Sequence, residues 1–223
     1  LALSGQIGGQ VSSGAGGGGQ SFEYLQSAQG TTGASPRTVQ LTDVQAGSLI
    51  VVWVPWFYSE STACTVSDGT SNFKGGTVEN DSWMRGQFFY LLSSVASGTV
   101  TYTATVSGCS NVAIQVWEIG HTQAVSLDQE NTTNSPPDST APNSGNITLS
   151  QAPSIVFGGL SNYNGPSVSS RLINGETATA SQTIAGNAAS SWYKIFSSTF
   201  SDGAASCTLA SSVGWRCNVI SFK

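Results

Sequence analysis

The chain has 223 residues, of which 26 are glycine and only 9% are charged, and its formal net charge is −5 with 7 basic residues. Ordinary soluble domains are about 25% charged, so serine and threonine must fill much of this surface. So few basic residues argue against a nucleic-acid interface, which needs clustered lysine and arginine. No apolar run reaches the roughly 18 to 20 residues of a membrane-spanning helix.

The N-terminal segment differs in pattern from the rest of the chain. In LALSGQIGGQVSS the large apolar side chains occupy odd positions only: Leu1, Leu3, Ile7 and Val11. This period of two predicts a strand with one buried face and one wet face. A glycine-rich hinge follows, formed by Gly14, Gly16, Gly17, Gly18 and Gly19. Because such hinges are flexible, we expect this arm to pair with another copy of the chain.

Strand patterns begin at Phe22 and Tyr24. Residues 48–58, SLIVVWVPWFY, are nearly all apolar and rich in β-branched and aromatic side chains, which predicts a strand buried on both faces. Pro55 cannot donate a hydrogen bond to a neighbouring strand, so we expect a bulge or the end of the strand there. Residues 64–69 predict a short strand that runs into an Asp-Gly turn.

Two segments share a pattern that indicates a weak internal duplication. In residues 88–119 an aromatic run is followed by Ser-Ser, a glycine turn and two strands around a second turn, and residues 191–222 repeat that order. Val100 and Tyr102 alternate with threonines in the first of these strands, so one face of that strand is buried. The strand from Val112 onward carries apolar residues on both faces and is predicted to be central.

The segment between the two halves has a different composition. Residues 121–145 combine three prolines with Asn, Ser, Thr and Asp and have no apolar period. This composition predicts a long surface connection between halves at about 20–120 and 146–223. In the second half, residues 154–157 match the buried run at 49–52.

No segment keeps a helical apolar period over several turns. The sequence therefore predicts an all-β protein, an antiparallel β-sandwich of jelly-roll or immunoglobulin-like type. Residues 1–19 are assigned to an exchanged donor strand and its hinge, and residues 20–223 to one sandwich domain.

Cysteines and glycosylation sequons point to an oxidising, extracellular location. The chain starts at Leu1 instead of Met, which fits a removed signal peptide or a trimmed chain. The cysteines are Cys64, Cys109, Cys207 and Cys217, and the Asn-x-Ser/Thr sequons begin at Asn80, Asn131 and Asn146. Cys207 and Cys217 flank the second-half turn as candidate disulfide partners, which leaves Cys64 for Cys109. Four cysteines nevertheless allow three connectivities.

Several residues are candidates for catalysis, and each has a simpler structural interpretation. His121, the single histidine, follows Glu118 by three residues, a pair that can bind a metal or move a proton. It has no third ligand nearby in the sequence, so a loop histidine is the favoured interpretation. Acidic residues that can pair for glycoside hydrolysis are Glu79, Asp81, Asp128 and Glu130. With 12 acidic residues, chance pairing explains them. We expect no enzyme activity, no cofactor and no metal.

Two further features allow a binding function. Residues 68–72 alternate oxygen ligands as calcium sites do, but they are too short for an EF-hand loop, and an ordinary turn is favoured. Six tryptophans are available to stack on sugars. Most lie in apolar strands and belong to the core, so Trp83 and Trp215, which lie nearer turns, are the better candidates for a glycan platform.

The one-sided arm, the glycine hinge and the single sandwich together resemble the donor-strand pilins of bacteria and archaea. That resemblance implies that each subunit inserts its arm into a neighbour, which builds an open head-to-tail filament. It covers the organisation of the chain and includes no diagnostic motif. Scarce charges, cysteines and sequons are similar to those of glycosylated archaeal surface threads.

From this resemblance we expect an extracellular structural subunit that forms a homopolymer, with a role in adhesion or biofilm. The buried run at 49–52 and the C-terminal strand also resemble secreted bacterial sandwich modules. That second resemblance implies a carbohydrate-binding or adhesion module whose partners are surface glycans. No nucleic acid and no membrane span are expected in either case.

Overall fold

The computed structural model describes residues 20–57, 63–78, 84–134, 138–162, 165–184 and 189–223, and of 180–184 the backbone alone. The predicted arm and hinge, residues 1–19, therefore lie outside the described residues. So do Glu79, Asn80, Asp81 and Trp83.

Within the described residues the chain forms sixteen strands and no helix. The first eight are β1 (Phe22–Gly33), β2 (Arg37–Val44), β3 (Leu49–Phe57), β4 (Cys64–Ser67), β5 (Lys74–Gly75), β6 (Met84–Leu91), β7 (Gly98–Val106) and β8 (Asn111–His121). The second eight are β9 (Leu127–Asn134), β10 (Ser154–Asn162), β11 (Val168–Ile173), β12 (Glu176–Thr177), β13 (Ala180–Ile184), β14 (Ala189–Phe196), β15 (Ala205–Leu209) and β16 (Trp215–Phe222). The prediction of an all-β, antiparallel sandwich is confirmed. No helix in the described part of the chain is long and apolar enough to cross a membrane.

The strands form four sheets that stack as four layers. The outer sheet of the first half has the order β2-β7-β4, and it covers the five-stranded sheet β1-β8-β3-β6-β5. The second half has the five-stranded sheet β13-β14-β10-β16-β9, covered by β12-β11-β15. The two five-stranded sheets face each other, with β6 against β10 and β16. Each half is therefore a two-sheet sandwich, where the sequence predicted halves of one sandwich.

Three hydrophobic cores fill the three spaces between the layers. Side chains of β3 alternate between the core of the first half, which holds Val52, and the core between the halves, which holds Trp53. Those of β10 alternate between that central core, which holds Phe157, and the core of the second half, which holds Val156. Both strands lie in inner layers, and this explains why both read as continuous apolar runs.

The internal duplication is present in the strand order. Read from β9, the second five-stranded sheet runs β9-β16-β10-β14-β13, which matches β1-β8-β3-β6-β5 position by position. The predicted match of residues 154–157 to 49–52 is confirmed, because β10 and β3 are the equivalent central strands. In place of β2, the second half uses isolated bridges from Ser139, Asn143 and Ile147 to the chain around β15.

The prediction of a bulge or strand end at Pro55 is wrong. β3 continues to Phe57, and Pro55 lies opposite Gly86 in an unshifted register with β6. On its other side β3 pairs with β8 at Trp53 and again at Trp56, with no partner at Pro55 itself. The missing N–H of the proline is therefore accommodated by a local gap in one ladder.

The prediction that residues 121–145 are a loop is also wrong in part. Residues Leu127–Asn134 form β9, which pairs with β16 and begins the second half. The sequence of β9, LDQENTTN, has only one large apolar residue. Because β9 is the outermost strand of its sheet, most of its side chains need not be buried, and the apolar alternation that identifies a strand is absent.

Glycines of both halves make room for the ring of Trp53 between the two five-stranded sheets. A Cβ atom added to Gly159 of β10 would lie 2.8 Å from three ring atoms of Trp53, and one added to Gly86 of β6 would overlap the same ring. On its other face β10 packs Gly158 against Trp192. β10 therefore runs between two indole rings. Paired glycines inside the apolar run IVFGGL were the sequence signal for such a close approach.

Candidate functional site

Glu118 and His121 do not form a catalytic pair. Glu118 is fully buried, and its carboxylate accepts hydrogen bonds of 2.6 Å from the Gln26 side chain and from the Gln45 backbone N–H. His121 Nδ1 instead makes a 2.6 Å hydrogen bond to the carbonyl of Gln123. The carboxylate thus fastens β1 and the chain after β2 to β8, which is a structural role.

An open cleft of about 400 Å³ lies beside His121. It is lined by residues 45–48 and 120–124, where His121 is the one ionisable side chain. Among the described residues, no three His, Cys, Asp or Glu side chains are placed to hold a metal ion. The cleft therefore offers a polar surface without a group of catalytic side chains.

The remaining described acidic candidates, Asp128 and Glu130, also make contacts that join separate parts of the chain. Asp128 pairs with Lys223 at 3.2 Å and accepts a 2.6 Å hydrogen bond from the Ser150 hydroxyl. Glu130 accepts hydrogen bonds from the backbone N–H and the hydroxyl of Thr77, at 3.2 and 2.7 Å. The Glu130 contact joins β9 to the chain after β5, and so it links the two halves.

The carboxylate of Asp68, which the calcium hypothesis assigned to a cation, instead accepts hydrogen bonds within a turn. It accepts hydrogen bonds from the backbone N–H groups of Thr70 and Ser71 and from both of their hydroxyls, at 2.6 to 3.1 Å. Burial alone would raise the pKa of Asp68, but these hydrogen bonds outweigh it and lower the pKa below its ordinary value. Donors surround the carboxylate, as in an Asx turn.

Replacing Asp68 with alanine should lower the free energy of unfolding by about 1 kcal/mol at pH 7, because four hydrogen bonds are lost at a partly exposed turn. A lowered folded-state pKa stabilises the fold above the unfolded pKa of an aspartate, and that contribution is lost as the pH falls through the folded value. Urea unfolding should therefore show the wild-type advantage shrinking in acid. An advantage that grows as the pH falls would contradict this account.

All four cysteines are free thiols in this structure. Cys64 and Cys109 pack in or against the core of the first half, and Cys207 and Cys217 in that of the second. Burial, with a smaller contribution from the neighbouring Cys109, raises the pKa of Cys64 far above its usual range. Burial raises the pKa of Cys207 to about 12. Burial, with a smaller contribution from Cys207, also raises the pKa of Cys217 well above its usual range.

The two described sequons differ in accessibility. The Asn131 side chain donates a 2.9 Å hydrogen bond to the carbonyl of Asn146 and accepts one from the Thr132 N–H. The Thr133 hydroxyl of the same sequon donates to the carbonyl of Asn143. Asn146, by contrast, is exposed. Of these two predicted glycosylation sites, Asn146 therefore presents its amide to solvent, whereas that of Asn131 is already engaged.

Trp215 does not provide a sugar platform. It is 6% exposed, belongs to the core of the second half, and donates a 2.9 Å hydrogen bond from its indole to the Ser139 hydroxyl. The most exposed aromatic side chain among the described residues is Tyr24, which stacks on Tyr193 with ring centroids 5.5 Å apart. The second glycan candidate, Trp83, lies outside the described residues.

The outer sheets of the two halves differ at one edge. In the second half, β12 pairs with β11 through Leu172 opposite Thr177 and Ile173 opposite Glu176. In the first half the strand equivalent to β11 is β4, and β4 pairs with β7 on one side. Among the described residues no strand pairs with its other side, because the next strand, β5, pairs with β6 instead. The first half therefore lacks a strand that the second half has.

Apolar side chains lie behind this open edge. Val66 of β4 is 7% exposed and belongs to the core of the first half. Phe73 and Val78 are half-buried against the same core, and Phe73 makes an edge-to-face contact with Tyr102 at 6.2 Å between ring centroids. We call β4 together with Phe73 and Val78 the open edge.

Comparisons with known proteins give no family for the chain. No protein-family model matches it, and no curated protein sequence matches it. A solved structure described as "PBCV-1 virus capsid, quasi-atomic model" aligns with 92% of this chain and 93% of its own at 11% identity, with a TM-score of 0.27. A TM-score this low carries no conclusion about shared fold or function.

Proposed function

We propose that the chain is a structural subunit of an extracellular filament, not an enzyme, and that it joins its neighbours by donor-strand complementation. The observation that carries the proposal is the open edge of the first half at β4, because the equivalent strand of the second half, β11, is paired with an additional strand, β12. An unpaired edge strand exposes backbone N–H and carbonyl groups that another strand can pair with. The proposed occupant is the arm, residues 1–13, of a second copy.

The arm has the chemistry that the open edge requires. A strand beside β4 must be apolar toward Phe73 and Val78 and polar toward solvent, and the arm has this one-sided alternation. Its glycines at positions 5 and 9 are on the apolar side, where they leave room for bulky neighbours. Thirteen extended residues span about 43 Å, which is enough to reach past the boundary of one subunit into the next.

Because each copy would give one arm and accept another at a different surface, the contact is head-to-tail. Assembly then continues as an open filament, and it does not stop at a closed dimer. A surface with two exposed large hydrophobic residues, Tyr24 and Val95, among those described leaves the arm as the main apolar element available for association. A role in adhesion or biofilm belongs to this proposal.

The arm is tested by charge placed on one face or the other. Leu3→Asp with Ile7→Asp should abolish filaments in negative-stain electron microscopy, because two carboxylates would be buried against the core. Ser4→Asp with Gln6→Asp adds the same charge to the wet face and should leave assembly intact. Deletion of residues 1–13 should leave monomers in sedimentation velocity. Filaments from the deleted chain, or equal loss in both charge pairs, would overturn the proposal.

The acceptor is tested by adding the arm back as a peptide. A synthetic LALSGQIGGQVSS peptide added to the chain lacking residues 1–13 should slow amide hydrogen exchange in β4 and leave β12 unchanged. The L3D, I7D version of the peptide is the matched control and should give no protection. Protection at another edge would move the acceptor site away from β4, and this would contradict the assignment of the open edge.

A further inference from the structure

The positions of the four cysteines decide which of them can be joined. Cys64 of β4 lies opposite Val106 of β7, and the backbone N–H of Cys109 donates to the carbonyl of that same Val106. Both cysteines are therefore next to Val106, the last residue of β7. Cys109 is 4% exposed and belongs to the core of the first half, against which Cys64 also packs.

The second pair is placed in the same way in the other half. Cys207 of β15 and Cys217 of β16 both point into the core of the second half. The Cys217 thiol donates a 3.6 Å hydrogen bond to the carbonyl of Ala205, which is two residues before Cys207 on the inward face of β15. The two thiols are therefore neighbours across the sheet-to-sheet gap of one half.

The layers rule out every other pairing. The core of the first half lies outside one five-stranded sheet and that of the second half outside the other. Packed sheets lie about 10 Å apart, so cysteines in different halves are separated by about 20 Å. A disulfide needs Cα atoms within about 7 Å. Of the three connectivities that four cysteines allow, one is compatible with this fold.

We propose that the chain carries two disulfide sites, Cys64–Cys109 and Cys207–Cys217, each of which braces one half and neither of which crosses between halves. A disulfide such as oxidised glutathione is the oxidant: one cysteine thiolate displaces a glutathione thiol, and its partner displaces the second. Each bridge thus consumes one oxidised glutathione and releases two reduced molecules. This proposal is independent of the filament proposal, since it concerns bonds within one subunit.

The test is peptide mapping of the whole chain refolded from denaturant in a glutathione redox buffer. Refolding is needed because buried thiols with raised pKa values exchange slowly in the folded state. Trypsin cleaves after lysine and arginine, and it places each cysteine in a separate peptide: residues 38–74, 86–171, 195–216 and 217–223. Without reduction, the first two should be joined to each other, and the last two to each other. A link between halves, or four alkylated thiols, would overturn the proposal.

Stability gives a second readout. Reduction should lower the melting temperature by an amount on the order of 10 °C, because each disulfide lowers the conformational entropy of the unfolded chain. The double variant Cys64→Ala, Cys109→Ala should keep the 195–216 to 217–223 link and show a smaller redox dependence. If that variant does not fold, mapping of the wild-type chain still decides the connectivity. An unchanged melting temperature after complete reduction would contradict the bracing role.

Discussion

Replacing Gly86 with alanine should lower the free energy of unfolding by about 3 kcal/mol or more. The added Cβ would overlap the ring of Trp53 and lie 3.0 Å from the Ser161 hydroxyl of the opposite sheet. Trp53 is fully buried, so its ring has no free space to move into. Overpacking a dense core usually costs about 1 to 3 kcal/mol and more where nothing can move. Equilibrium unfolding in guanidinium chloride measures the loss.

Gly120→Ala is the matched control for this prediction. Gly120 also lies in the first five-stranded sheet, but the nearest atoms to its added Cβ belong to the Leu25 side chain at 3.4 to 3.5 Å, an ordinary contact. Loss of glycine freedom in the unfolded chain should then stabilise this variant by about 0.4 to 1 kcal/mol. Equal unfolding midpoints for Gly86→Ala and wild type would show that the halves are not locked by the tryptophan.

Gly159→Ala tests the same contact from the other half. Its Cβ would approach three atoms of the Trp53 ring, so the variant should resemble Gly86→Ala although the two glycines belong to different halves. A common effect from both sides would show that both glycines are needed to accommodate the ring of Trp53. The same argument explains why β10 carries two consecutive glycines in an otherwise apolar strand.

The sequence predicted the strands whose apolar residues alternate or occupy both faces, and it missed β9, which has almost none. β3 and β8 were recognised because apolar residues occur on both faces, which the inner layers require. β9 was missed because its outward and inward side chains are both mostly polar. Hydrophobic periodicity reflects which side chains are buried, so it identifies a strand only where burial alternates or is complete.

The sequence could not predict how the two halves stack, and the reason is different. The duplication was visible as two similar segments, but a repeat does not say which sheets face each other. That choice depends on the fit of Trp53 between Gly86 and Gly159, residues far apart in the chain. Likewise, the sequence favoured Cys207 with Cys217 and Cys64 with Cys109, but it could not exclude the other two connectivities until the cores were located. Among the candidate sites, the roles of Glu118 and Asp128 could be assigned only once the structure showed their hydrogen-bond partners.

The internal comparison of the halves also bears on assembly. In the second half an additional strand, β12, pairs with β11, whereas the equivalent strand of the first half, β4, has no such partner among the described residues, so the open edge is a difference between the two halves of one chain. An exposed edge invites uncontrolled pairing unless something covers it. The proposed exchange of arms meets that requirement and makes the covering strand the link between subunits.

Replacing Glu118 with alanine should destabilise the protein by about 3 kcal/mol. The carboxylate is fully buried, and it receives the Gln45 backbone N–H and the Gln26 amide at 2.6 Å each. Without it, two donors lose their acceptor, and each unsatisfied buried group costs about 1 to 3 kcal/mol. The Gln26 amide is additionally 2.6 Å from the Thr42 carbonyl, which retains part of its hydrogen bonding and limits the loss. Urea unfolding gives the value.

Two further variants test this structural role of Glu118. Glu118→Gln keeps one acceptor oxygen but places its NH2 group against a donor. The stability of this variant should therefore lie between those of wild type and Glu118→Ala. Glu23→Ala removes an exposed carboxylate from the neighbouring strand β1 and should change stability by less than about 0.5 kcal/mol. If Glu118→Ala is as stable as Glu23→Ala, the carboxylate does not fasten β1 to β8. Its burial beside the His121 cleft would then need a different explanation.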